Sequence, residues 1–369
     1  MLAEFLFEFK DVFFGFNVFR YITVRAALAA LTSLFLCLVI GPRVINMLRR
    51  HQLGETIRTD GPESHLAKKG TPTMGGLIIL GAVSISVLMW GKLDNFYVQM
   101  IFLCTIWMGV VGFIDDYLKV VKKMKRGLSG RYKIVGQFMI GLILGCSIYF
   151  NDAFIAQGLN ANTSLPFLKN YEIQFGMLYI PLVIFVLTAS SNAVNLTDGL
   201  DGLATGLIAI AMLAFAGISY VTGHFKFSDY LNIVFLPGSG ELAVYCLAIV
   251  GAAMGFLWYN SYPAQVFMGD TGSLALGSTL GAVAILVKKE IFLILIGGVF
   301  VAETLSVIIQ TSYFKYTRRK YGEGRRIFKM APLHHHFELK GWPETKVVVR
   351  FWIVGIVMAL LSLATFKVR

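Results

Sequence analysis

Five carboxylates stand out in this sequence: Asp115 and Asp116 in FIDDYLK, Asp198 and Asp201 in NLTDGLDG, and Asp270 in FMGDTG. Carboxylate oxygens are hard ligands. With exposed loop backbone they suit Mg²⁺, which takes one or two carboxylates and fills its shell with water and substrate phosphates. Lysines, arginines and histidines around them, among them His65, Lys68, Lys69 and Lys119, supply countercharge for phosphate oxygens. Glycines beside the acids let backbone N–H groups approach an anion. This set points to metal-assisted phosphoryl transfer.

Each piece also has a plainer explanation. Asp115 and Lys119 are four apart on a helix, so an ion pair is available to them. Ser, Thr, Asn and Asp next to Gly build helix caps and turns. Glu303 sits inside an apolar run, where it must be paired or face a cavity. His334, His335 and His336 would alternate faces on an extended chain, so one metal is not expected to take all three. It is the combination that argues for a site.

Asn192, Asn195, Asp198 and Asp201 recur every third residue. Three residues of α-helix turn through roughly 300°, so each step slips the side chain back by about 60°. The four face one site only if the segment is wound more tightly than an α-helix or breaks at Gly199. A broken helix end is tolerated in a membrane where it lines a polar cavity.

The elements that carry these residues are apolar. The 369-residue chain is 56% hydrophobic with 30 Phe, and only 15% of it is charged. Its mean hydropathy is +0.69, the profile of a membrane protein. Ten runs approach the roughly 20 residues needed to cross a bilayer: 20–41, 73–91, 96–116, 134–150, 176–191, 202–221, 241–259, 272–288, 290–311 and 349–366. The expected fold is all-α and polytopic, one transmembrane domain over 1–369, with residues 1–19 lying at the interface. Cys37, Cys104, Cys146 and Cys246 fall inside apolar runs and are expected to be free thiols.

The net charge of +12 does not require a nucleic-acid partner, and none is expected. Residues 42–72, 117–133 and 312–348 hold six, seven and nine basic residues, 22 of the chain's 33. The alternate loops hold five between them. The positive-inside rule then puts the three basic loops in the cytoplasm and both termini outside. The same parity places loops 192–201 and 260–271, which carry three of the acids, on the cytoplasmic face.

The stretches NAVNLTDGLDGLA, GFIDDYLK, GTPTMGG, FMGDTGSLALG and PLHHHFELKGW together resemble the polyprenyl-phosphate N-acetylhexosamine-1-phosphate transferases, from about Phe16 to Arg369. PLHHH and the span pattern resemble the branch that uses UDP-N-acetylmuramoyl-pentapeptide. The resemblance implies transfer of phospho-N-acetylmuramoyl-pentapeptide to undecaprenyl phosphate, with release of UMP. It also implies Mg²⁺, ten spans in the bacterial inner membrane, a cytoplasmic active site and a homodimer. Asp115, Asp116 and Asp270 then resemble the catalytic and metal-binding aspartates, Asp270 the direct ligand, and His334 joins them. Asn195, Asp198 and Asp201 resemble nucleotide-sugar contacts, with Phe267 to stack on uracil and Lys68 nearby. Lys119, Lys133, His335 and His336 resemble positions around the diphosphate. Thr73, Asn192, Gly199, Leu200, Asn260 and Gln310 complete the substrate-binding set.

A phosphate monoester has its second pKa near ~6, so the acceptor needs no strong base. Direct attack on the β-phosphorus is expected, with Asp115 or Asp116 orienting the nucleophile. A covalent phospho-aspartate is the competing scheme. Rival functions are a sister transferase that uses UDP-N-acetylglucosamine and an ion-coupled transporter. No internal repeat of the transporter kind is present.

Overall fold

The computed structural model describes residues 2–50, 68, 70–124, 127–165 and 172–366. His65, Lys69 and most of the expected loop 42–72 lie outside the described residues, as do 125 and 126 of loop 117–133.

The chain is almost entirely helical. A short helix α1 (Leu2–Glu8) and two 3₁₀ segments (Phe9–Asp11, Phe14–Arg20) precede α2 (Ile22–Arg50). The middle of the chain runs through α3 (Gly76–Trp90), α4 (Phe96–Val120), α5 (Gly130–Tyr149), the short α6 (Asp152–Ala156) and α7 (Tyr179–Thr197). Next come α8 (Leu203–Thr222), the short α9 (Phe225–Leu231), α10 (Glu241–Asn260) and α11 (Gly269–Leu286). The C-terminal part holds α12 (Phe292–Ile296), α13 (Gly298–Tyr321), α14 (Leu333–Glu338) and α15 (Glu344–Ala364). One departure from an all-α chain is a two-stranded antiparallel hairpin, β1 (Asn162–Ser164) with β2 (Glu172–Gln174), in which Thr163 pairs with Ile173.

Seven helices among the described residues are long and apolar enough to cross a membrane: α2, α4, α5, the segment containing α7, α8, α10 and α15. The chain is a multi-pass membrane protein. Three more helices, α3, α11 and α13, occupy the remaining expected runs; α3 has 15 residues. The run at 290–311 is divided at Gly297 into α12 and α13. Several helices outlast their apolar runs, α7 by reaching Thr197 and α13 by reaching Tyr321. The backbone ladder continues after the hydropathy has fallen, so Asn192 and Asn195 are helical residues rather than part of a loop.

Helix α11 is the central pillar, buried at every position from Thr271 to Leu286. Small residues let its neighbours come close, as packing inside a membrane favours. A Cβ on Gly76 of α3 would stand 2.2 Å from the Gly272 nitrogen, and one on Gly112 of α4 would stand 2.2 Å from the Asp270 carbonyl oxygen. These contacts bring the start of α3 and the last turns of α4 onto the start of α11. All four cysteines are free, three of them buried.

Candidate active site

Helix α4 delivers two adjacent carboxylates to the N-terminus of α11, and they do different work. Asp116 Oδ1 accepts the Asp270 N–H at 3.1 Å. Its Oδ2 accepts the Thr271 N–H at 2.9 Å and the Thr271 hydroxyl at 2.6 Å. Asp116 therefore caps α11 from a neighbouring helix, satisfying N–H groups that a helix start leaves open and lying at the positive end of its dipole.

Asp115 turns elsewhere. Its Oδ1 accepts the Leu128 N–H at 2.7 Å, while Oδ2 lies 2.5 Å from Lys119 Nζ and 2.8 Å from Lys133 Nζ. The same two ammoniums reach Asp270 Oδ2 at 3.0 and 2.5 Å. Gly127, at φ +57°, folds over Asp115, and a Cβ there would meet Asp115 Oδ1 at 2.6 Å. A side chain is excluded at Gly127 both by its backbone conformation and by space.

Asp270 is held on its other side by α7. Asn195 Nδ2 donates to Asp270 Oδ1 at 2.7 Å and to Ser273 Oγ at 2.8 Å. Burial would raise the Asp270 carboxyl. Its link to Asp115 and the Lys133 and Lys119 charges outweigh that and hold it well below the usual carboxylate range. The ligand oxygens of Asp115, Asp116 and Asp270 lie within 4.8 Å of one another. An all-carboxylate set this compact fits a hard divalent cation. Thr73 is buried at its edge, its hydroxyl 2.9 Å from where a Cβ on Gly269 would be.

A second polar group forms at the break between α7 and α8. Helix α7 ends at Thr197, and α8 starts after Gly202, which sits at φ +77°. The break spans the expected position at Gly199. It does not gather the four polar residues on one site, however. Asn192 turns to Gln137 Oε1 at 3.1 Å, Asn195 joins Asp270, and Asp201 faces a separate ion cluster. Asp198 lies half-buried in the turn, and Leu200 is buried.

In that cluster Lys68 Nζ lies 2.7 Å from Asp201 Oδ1 and 2.6 Å from Glu344 Oε1. Asp201 Oδ2 accepts the Ala264 N–H at 3.0 Å, which ties the loop before α11 into the group. Asn260 shapes the same loop, donating to Val266 O at 3.0 Å and accepting from the Thr205 hydroxyl at 2.9 Å. Phe267 is half-buried, its backbone bonded to Pro72 and Gly75.

The histidines diverge, as expected, but on a helix rather than on an extended chain. His334 is fully buried, its Nδ1 3.3 Å from Glu303 Oε2. A Cβ on Gly199 would come 2.4 Å from its Nε2, so this ring packs beneath the α7–α8 turn rather than against the three aspartates. His335 Nδ1 lies 2.8 Å from Glu338. His336 Nδ1 accepts the Lys329 N–H at 3.0 Å; burial, with the Lys340 and Lys329 charges, holds its imidazole below its usual pKa. Gln310 braces the segment beside them: Oε1 accepts from the Ile327 and Phe328 N–H groups, and Nε2 donates to Phe328 O.

Sequence reasoning missed Glu344, Gln137, Thr271 and Ser273. Glu344 reads as an ordinary acid in a first helical turn, and Gln137 as one polar residue in an apolar run. Thr271 and Ser273 stood inside a quoted motif without a role.

The chain is similar in sequence to known proteins. The family model described as Glycosyl transferase family 4 matches residues 98–288, the stretch that contains all five aspartates. Phospho-N-acetylmuramoyl-pentapeptide-transferase signature 1 matches residues 68–80. Relatives named phospho-N-acetylmuramoyl-pentapeptide-transferase include one from Chloroherpeton thalassium, 55% identical over 96% of both chains. Another, from Thermodesulfovibrio yellowstonii, is 53% identical over 100% of both. One from Flavobacterium psychrophilum is 47% identical, again over 100% of both. By sequence over its whole length, the chain belongs to the phospho-N-acetylmuramoyl-pentapeptide-transferase family of enzymes.

Proposed function

We propose that the chain transfers phospho-N-acetylmuramoyl-pentapeptide from its UDP ester to undecaprenyl phosphate, forming the lipid-linked diphosphate sugar and UMP. The observation that carries this reading is the meeting of Asp115 and Asp270 around the Lys119 and Lys133 ammoniums. In the balanced step, an oxygen of the lipid phosphate bonds to the β-phosphorus. The P–O bond to the α-phosphate breaks, and its electron pair leaves on UMP.

Lys119 and Lys133 bind the anionic oxygens of the two phosphates, exchanging carboxylate partners for phosphate ones. Asp115, freed of part of that pairing, orients the attacking phosphate. Asp116 fixes the N-terminus of α11, and with Asn195 it aims Asp270. Asp270 and Asp115 would hold Mg²⁺, Asp116 supporting Asp270 from behind; the ion's chemistry is to neutralise the diphosphate as charge moves to UMP. Asp201 and Lys68 form the nucleotide end, with Phe267 to stack on the uracil. Gly199 and Leu200 shape the turn between the two ends, and His334 supports it from below.

The reading includes ten spans with both termini outside, the bacterial inner membrane, a cytoplasmic active site and a homodimer. The placement of basic residues supports the orientation, and the bacterial relatives support the membrane. A competition assay tests the donor. Purified protein given undecaprenyl phosphate and both UDP-N-acetylmuramoyl-pentapeptide and UDP-N-acetylglucosamine should consume the first only. Consumption of the second in its place would move the chain to the sister branch.

A further inference from the structure

We infer that Glu344 is a positioning residue for the donor nucleotide: it shares the Lys68 ammonium and so leaves Asp201 a net negative charge with which to accept a nucleotide N–H or O–H. The inference rests on the reading above, in which Asp201 and Lys68 lie at the nucleotide end.

Glu344 reaches the cluster from the start of the last helix, 143 residues from Asp201. A single oxygen, Oε1, takes the Lys68 ammonium at 2.6 Å and the Asp201 N–H at 2.8 Å. It therefore fixes both the cation and the backbone of the acid that the cation also touches. Asp201 and Glu344 are 4% and 7% exposed. Among the described residues, one ammonium stands between two enclosed carboxylates, which leaves one net negative charge.

The second oxygen of Glu344, Oε2, is buried with no hydrogen-bond partner. Leaving a buried acceptor unmet is destabilising. The helix dipole alone favours an acid in the first turn of α15. It does not account for an acid turned onto Lys68 and the Asp201 backbone. Tyr262, 53% exposed and with its ring 5.8 Å below Lys68 Nζ, forms the outer rim.

Substitution with Gln separates charge from shape. Glu344→Gln keeps an oxygen for the Asp201 N–H but gives Lys68 wholly to Asp201, which neutralises it. The KM for the UDP-sugar should rise about tenfold, with kcat and the KM for prenyl phosphate unchanged. Glu344→Asp, which keeps the charge, should recover most of that loss. Thermal unfolding of the purified full chain should move little in either variant. An unchanged or lowered donor KM in Glu344→Gln would overturn the inference; a lower value is what loss of one negative charge near a diphosphate would give by itself. A parallel rise in both KM values with a fall in Tm would reduce Glu344 to a structural pin. UMP binding by calorimetry, which needs no turnover, keeps the two readings apart. Weaker UMP binding in Glu344→Gln alongside an inactive wild type would sink the transferase reading and leave this one standing. Equal UMP binding would sink this one.

Discussion

At the scale of single residues, adjacent aspartates do unlike jobs. Both oxygens of Asp116 are taken by the Asp270 and Thr271 N–H groups and the Thr271 hydroxyl. The Oδ2 atoms of Asp115 and Asp270 instead face two ammoniums that a phosphate can draw away. Asp270→Asn should therefore lower kcat by orders of magnitude with Tm unchanged. Asp116→Asn should cost stability as well as rate, about 0.5–2 kcal/mol for a weakened cap. Parallel measurement of kcat and Tm checks this; an unshifted Tm in Asp116→Asn would refute the capping role. The sequence marked both acids but could not separate them. Neighbours on a helix diverge by roughly 100°, and which of them meets α11 depends on where α11 lies. Glu344 stayed hidden for a related reason: its partners come from distant segments, and no local spacing points to them.

At the scale of elements, polar periodicity located the break near Gly199, and the chain breaks between Thr197 and Leu203. What periodicity could not supply was the destination of each side chain. The last turns of α7 send Asn192 to α5 and Asn195 to α11, while Asp201 lies beyond the break and meets α15. The span edges were also blurred, because hydropathy marks the membrane boundary and not the helix end. Close helix contact sets the position of Asp270. Gly112→Ala would put a methyl carbon 2.2 Å from the Asp270 carbonyl oxygen. It should force α4 from α11, cost about 1–3 kcal/mol and lower kcat together with Tm. Normal kcat and Tm in that variant would show that the α4–α11 contact has slack.

At the scale of the whole molecule, the polar contacts sort by helix end. The ends of α4 and α7 meet the starts of α5 and α11 around Asp270. At the opposite ends, Arg25 at the start of α2 pairs with Glu241 at the start of α10, at 2.6 and 2.7 Å, and donates to Trp90 O at the end of α3 at 3.2 Å. Charge placement led to the expectation that alternate helix ends share a face; the hairpin and the division at Gly297 carried no such signal. A transferase that joins a soluble donor to a lipid acceptor by direct attack should release UMP only when both are present. UMP release by the purified protein with UDP-N-acetylmuramoyl-pentapeptide and Mg²⁺, measured with and without undecaprenyl phosphate, tests that most directly. The account predicts stoichiometric lipid-linked product and UMP with the acceptor, and neither without it. A stoichiometric burst of UMP in the absence of acceptor, leaving labelled phospho-sugar on Asp115 or Asp116, would contradict it.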